Sequence, residues 1–245
     1  MSHKPSELKE GAFLISDAHY SPKRPELLDF LKAIKKKELQ PTQLIFMGDT
    51  FDALFGLVPQ TSQLNQEPID LINELSLEIE VLYLEGNHDF NVANIFPSSK
   101  VFTIQQQPIL LMKESKKILL AHGDFMGSKS YKIYTSMMRS PFVLSILNIV
   151  NTTFNNYILK HLYHYLEKKQ DCTEIKNFKD IVLSRLEDKF ECDYFVEGHF
   201  HQNKFLNINF FKYINLAAFA CNQRYFVVKS FHKELLVEKI FSKET

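Results

Sequence analysis

The amino-acid sequence predicts an α/β fold: parallel strands joined by crossover helices, with polar loops gathered at one edge of the sheet. Two observations predict it. Short apolar runs alternate with helix-like stretches in the first third of the chain, and five polar clusters directly follow strand-like runs. The clusters read Asp17-Ala18-His19, Gly48-Asp49, Gly86-Asn87-His88-Asp89, His122-Gly123-Asp124 and Gly198-His199-Phe200-His201. Four of the seven glycines and five of the nine histidines lie in them, so both residue types are concentrated where strands end.

The elements follow in order. Ala12 to Ser16 is an apolar strand ending at Asp17. Pro25 to Leu39 reads as a helix, with Leu27, Leu28, Leu31 and Ile34 on one face and Lys32, Lys35, Lys36 and Lys37 solvated. Gln43 to Met47 is the second strand, Pro68 to Leu77 the next helix, and Val81 to Leu84 the third strand. Val101 to Ile104, Ile109 to Met112 and Ile118 to Ala121 suggest shorter strands, the last delivering His122. Ile175 to Phe190 reads as a helix and Tyr194 to Glu197 as the strand before Gly198. From Phe205 to Phe241, alternating short runs predict three or four antiparallel strands closing a second sheet. Without an internal repeat or a low-complexity linker, residues 1–245 read as one domain, with a helical lid inserted at about 126–172.

The bulk composition excludes several function classes. Lys plus Arg and Asp plus Glu are both 29, so the field of the whole molecule argues against a dedicated nucleic-acid binder. Three cysteines, Cys172, Cys192 and Cys221, stand far apart, which predicts neither a disulfide framework nor a thiolate zinc site and suits a cytoplasmic protein. Met1 to Glu10 is polar, so export is not expected, and no apolar run approaches the ~20 residues of a membrane span.

Ligands in an open α/β sheet collect beyond the carboxyl ends of its strands, where the clusters fall. Asp17 and His19, two apart on an extension, project to one side and can clamp a cation. Asp49 can bridge two cations with its two oxygens, Asn87 offers a neutral amide oxygen, and His122, His199 and His201 supply imidazoles. One division gives the first ion Asp17, His19, Asp49 and His201, and the second Asp49, Asn87, His122 and His199. Any one of these pairs alone is commonly a turn or a polar surface feature; together, at successive strand ends, they point to a dinuclear site.

In this order, D-x-H, G-D-x-x-D, G-N-H-D, H-G-D and G-H-x-H resemble the calcineurin-like metallophosphoesterase superfamily, from Asp17 to beyond His201. The resemblance implies a four-layer α/β/β/α sandwich and two divalent ions, Mn2+ first, with Fe or Zn as alternatives. It implies a reaction in which the ions lower the pKa of water and neutralise phosphoryl oxygens. It assigns catalytic roles to His88, Asn87 and Asp89 and substrate contacts to Asn87, His88 and His199. His88 would point away from the metals and protonate the leaving group or stabilise the transition state, oriented by Asp52 or Asp89; ordinary capping or turn bonding is an equal alternative for the two carboxylates.

Phe125 to Leu166 contains no Asp or Glu, carries Lys129, Lys132, Arg139 and Lys160, and is rich in large apolar residues. The pattern predicts two or three amphipathic helices, either a cap packed on the core or a basic, hydrophobic lid able to hold acyl chains and touch an anionic bilayer. Such an insertion narrows the resemblance to the UDP-2,3-diacylglucosamine pyrophosphohydrolases of lipid A biosynthesis, which release UMP and 2,3-diacylglucosamine 1-phosphate. Contact with inner-membrane lipid would then be peripheral, from the cytoplasmic side. One departure is that G-N-R-D in the best-known members is G-N-H-D here. A phosphate leaving group hardly needs a general acid, whereas an alkoxide does, so a broader phosphatase or phosphodiesterase acting on soluble phosphoesters or phosphoproteins stays open.

Overall fold

In the computed structural model, which describes residues 6–169, 172–229 and 235–242, two six-stranded sheets pack face to face between helices. The first sheet runs Leu236–Ile240, Arg224–Val228, Phe13–Ile15, Gln43–Phe46, Glu80–Leu84 and Lys100–Phe102. Its last four strands are mutually parallel, and Arg224–Val228 is antiparallel to both neighbours. The second runs Ser6–Glu7, Ile109–Lys113, Lys116–Ala121, Tyr194–Glu197, Phe211–Asn215 and Lys204–Ile208. Here Tyr194–Glu197 lies parallel to both neighbours.

Strand periodicity explains the four layers. Side chains alternate across a sheet, so Leu14, Ile45, Leu82 and Leu84 meet Leu111, Ile118, Leu120 and Val196 in the layer between the sheets. The intervening Phe13, Ile15, Leu44, Phe46, Val81 and Tyr83 point outward, onto helices Glu26–Lys35 and Gln66–Glu78. Phe195 and Tyr213 of the second sheet pack on helix Phe178–Leu186. Strands buried on both faces explain why the sequence shows continuous apolar runs rather than alternation. The α/β/β/α sandwich expected from the resemblance is thus the observed architecture.

Some expectations need correction. The four strands after residue 203 do not close one sheet: the first two join the second sheet and the last two the first. The alternation of short runs is the same in either case, and only long-range pairing decides the partner. The helix expected over 175–190 is shorter, Phe178–Leu186, preceded by Asn177 in the left-handed region. The short helix Pro59–Leu64 was not anticipated. Cys172 and Cys221, separated by 49 residues, form a disulfide. Their distance along the chain says nothing about proximity once the chain has crossed both sheets.

Residues 129–168 form three helices, Lys129–Met138, Pro141–Thr153 and Tyr157–Lys168. Their apolar contact with the rest of the molecule includes Leu144 and Leu159, packed on Val58 and Phe90. Among the described residues no single helix is long and apolar enough to cross a membrane.

Candidate metal centre

All five polar clusters leave the carboxyl ends of strands at one edge of the sandwich. Asp17 and His19 follow Phe13–Ile15, Asp49 follows Gln43–Phe46, and Asn87 and His88 follow Glu80–Leu84, all in the first sheet. His122 follows Lys116–Ala121, and His199 and His201 follow Tyr194–Glu197, in the second. The ligand-type atoms of Asp17, His19 and His201 lie within 4.8 Å of one another, as do those of Asp49, His122 and His199. His201 Nε2 is 3.0 Å from Asp17 Oδ1, and His122 Nε2 is 3.4 Å from Asp49 Oδ2 and 3.3 Å from Asn87 Oδ1. The seven residues singled out in the sequence therefore converge.

The backbone at these positions is unusual. Asp17, His19, Asp49, His199 and His201 have φ of 51°, 45°, 50°, 62° and 58°, in the left-handed region. Such conformations cost ~1–3 kcal/mol each in non-glycine residues and persist where the surroundings over-determine them, commonly at functional sites. Close approach also dictates two glycines: a Cβ at Gly48 would overlap the His122 ring, and one at Gly86 would overlap the Asp49 carboxylate.

The donor set fits divalent cations. His122 Nδ1 donates to the carbonyl of Met47 at 3.0 Å, so in the neutral ring Nε2 presents a lone pair to the oxygens of Asp49 and Asn87. Three acceptors facing one another require a proton or a cation between them. His19 is 1% exposed, and neither of its ring nitrogens makes a hydrogen bond. A buried imidazole that makes no hydrogen bond is costly in an apolar site and ordinary at a metal.

The calcineurin-like phosphoesterase family model matches residues 13–203, which take in every one of these loops. The chain belongs to that family. It is a metal-dependent phosphoester hydrolase. Curated relatives include the UDP-2,3-diacylglucosamine hydrolase of Psychromonas ingrahamii, 23% identical over 195 residues that cover 77% of this chain and 79% of the relative. That of Coxiella burnetii is 22% identical over 194 residues, again 77% and 79%. That of Azotobacter vinelandii is 28% identical over 137 residues, covering 55% and 57%. Among solved structures, an archaeal phosphodiesterase superposes with a TM-score of 0.45 at 13% identity, covering 94% of this chain and 99% of that one.

Electrostatics at this phosphoesterase centre favours ionised Asp17 and Asp49 and a neutral His199. Burial alone would raise the pKa of Asp17 and of Asp49, but the imidazoles of His201 and of His122 and His88 outweigh it and leave both carboxyls lowered. Burial, assisted by the charge of His122, lowers His199 to about 4, which keeps its imidazole neutral. His122 is raised: burial opposes its charge, and the neighbouring Asp49 prevails.

His88 departs from expectation. Its ring does not turn away but meets the edge of the His19 ring, with centroids 4.9 Å apart. Its backbone N–H donates to Asp49 Oδ1 at 2.8 Å, and its Nδ1 donates to the Asp52 backbone carbonyl at 2.8 Å. Neither expected carboxylate orients it. Those of Asp52 are held by Arg24 Nη2 at 2.9 and 3.0 Å, with His19 Nδ1 at 3.5 Å. Asp89 lies fully buried beneath the loops, accepting from the N–H groups of Asp49 and Gly86 through Oδ1. Its Oδ2 accepts from Thr50 N–H and the Tyr83 hydroxyl. Burial, then the charge of Asp49, pushes the Asp89 carboxyl up to about 7. Losing this acceptor would strand several buried donors at ~1–3 kcal/mol each.

Two further residues escaped sequence reasoning. Arg185 pairs with the buried Glu197 at 2.6 Å and donates to the Gly123 carbonyl, tying the His122 loop to the strand before His199. Arg139, named only as a lid charge, is buried and donates to the Gly86 carbonyl at 2.8 Å. Nothing local distinguishes either from a solvated helix arginine. A cavity of about 270 Å³ lies between the three helices and these loops. Asn87, His88 and Arg139 line it beside Leu144, Leu147 and Leu162.

Proposed function

We propose that this phosphoesterase cleaves the pyrophosphate of UDP-2,3-diacylglucosamine, releasing UMP and 2,3-diacylglucosamine 1-phosphate, with the 129–168 helices serving as an acyl-binding lid. The observation that carries this reading is the apolar cavity opening beside Asn87 and His88, supported by the names of the relatives. Its volume is near the lower end of ligand pockets, ~300–1,000 Å³. It suits part of a lipid rather than two whole chains, and the exposed Phe142, Ile149 and Phe154 offer apolar surface for the remainder or for a bilayer. With residues 125–166 carrying lysines and no carboxylates, this argues for peripheral contact with anionic lipid at the cytoplasmic face.

In this reading Asp17, His19, Asp49 and His201 would hold one ion, Mn2+ for preference, and Asp49, Asn87, His122 and His199 would hold another. The pair would supply the nucleophile and neutralise phosphoryl charge. The chain's own residues do the rest. Asn87 and His199 contact phosphoryl oxygens, and the buried Asp89 holds the Asp49 loop in register. The helices exclude water from the apolar end. His88, with Nδ1 committed to the Asp52 carbonyl, accepts through Nε2 when neutral and donates through it only as imidazolium. Lys169 Nζ, 3.5 Å from that nitrogen, adds positive charge where a leaving group would sit.

The His88 geometry favours a second reading, a broader phosphoesterase in which His88 protonates an alkoxide. Assays of the Mn-loaded protein on UDP-2,3-diacylglucosamine, nitrophenyl esters and phosphopeptides separate the two. UMP release far exceeding the other rates supports the lipid pyrophosphatase; faster ester or phosphopeptide turnover replaces it with the second reading.

A further inference from the structure

We infer that Arg139 is a positioning residue for this hydrolase, bolting the helical segment to the two loops whose convergence builds one half of the metal centre. The inference rests on the proposed assignment of Asn87 and His122 to a shared ion; it does not depend on the lipid substrate.

Arg139 stands at the carboxyl end of helix Lys129–Met138, and its side chain is 8% exposed. Nη2 donates to the carbonyl of Gly86, the residue before Asn87, at 2.8 Å, and lies 3.4 Å from Asp124 Oδ2, two residues beyond His122. One nitrogen thus spans both loops, one from each sheet. The guanidinium carbon is 5.4 Å from the centre of the Phe90 ring, and the Arg139 carbonyl accepts from Asn91 Nδ2 at 3.0 Å. The chain on either side of Asn87 is therefore gripped at three points, Gly86, Phe90 and Asn91, while Asp124 ties in the His122 loop.

The pairing is costly to build. A guanidinium and a carboxylate with 8% and 0% side-chain exposure give up hydration that a surface pair would keep. Apolar side chains would line a cap more cheaply, so a cap alone does not account for it. What the pair does that an apolar contact cannot is fix Gly86 and Asp124 at hydrogen-bond distances. Those set how closely Asn87 Oδ1 approaches His122 Nε2, now 3.3 Å. Groups that orient metal ligands from outside typically change metal affinity or activity by about 10–100-fold when removed. A lysine ammonium, a point donor on a flexible stem, would bridge the two loops less well than the planar guanidinium.

Titrating chelator-treated full-length protein with Mn2+ by calorimetry tests this. Wild type is expected to bind two equivalents. In Arg139→Met the equivalent held by Asn87 and His122 weakens about 10–100-fold, while the equivalent held by Asp17, His19 and His201 stays within about twofold. Arg139→Lys recovers part of the loss. Equal weakening of both sites, or no change in either, overturns the positioning role, since a general packing defect would not choose between them. If Arg139→Met fails to fold, the pair Arg139→Met/Asp124→Asn leaves no unpaired carboxylate and carries the same expectation. One equivalent in wild type overturns the two-ion assignment itself, and the inference falls with it.

Discussion

The loops at the strand ends and the helices over 129–168 face each other across one cavity, yet they are held by different forces. The loops are polar and cross-bonded: Asp89 alone gathers donors from Asp49, Thr50, Gly86 and Tyr83, and five candidate ligands sit in the left-handed region. The helices touch the core through a small apolar cluster and Arg139, and leave Ile133, Phe142, Ile149 and Phe154 exposed. The difference teaches a division of labour. Phosphate chemistry needs groups fixed to fractions of an ångström, which a hydrogen-bonded sheet edge provides. In the proposed lipid reaction, holding flexible acyl chains would need area rather than direction, which apolar helix faces provide.

Substitutions on either side can break this comparison. The largest effect is expected for Asp49→Ala, which removes the one carboxylate proposed to serve both ions. Mn2+ stoichiometry should fall from two to one or none, and hydrolysis of every substrate should drop by more than the ~100-fold upper figure for an outer-sphere partner. Retention of two bound ions would dismantle the proposed centre. His88→Ala comes next. It should slow alkyl phosphodiesters by ~100-fold or more, the usual yield of a positioned acid, and nitrophenyl esters far less. Equal slowing of both ester classes would remove the acid role and leave His88 a charge-stabilising one. The smallest effect is expected on the helical side. Leu147→Trp, filling the cavity, should raise the KM for a diacylated substrate about tenfold, the equivalent of roughly two buried methylenes, and leave soluble nitrophenyl phosphate unchanged. An unaltered KM for the diacylated substrate would show that its chains lie elsewhere.

Most of the sheet edge is legible in the sequence. Glycine and histidine concentrate after apolar runs, and the runs have strand length, so the placement of Asp17, Asp49, Asn87, His122 and His199 at strand ends followed from local pattern. The supporting residues were not legible, for a physical reason. Asp52 and Asp89 carry the same side chain a few residues beyond a strand end, yet one bonds Arg24 and the other holds four donors. Arg139 and Arg185 look like any helix arginine until their buried partners, Asp124 and Glu197, arrive from distant segments.

By itself, then, the sequence determined the α/β alternation and the chemical identity of the candidate metal ligands, because periodicity and turn chemistry act over a few residues. The tertiary structure alone decided which groups meet. It brought His201 to Asp17, joined Cys172 to Cys221, divided the last four strands between two sheets and opened a cavity beside Asn87. Those outcomes depend on sheet order and register, and contacts between residues far apart in the chain are set by the burial of whole faces rather than by any local preference.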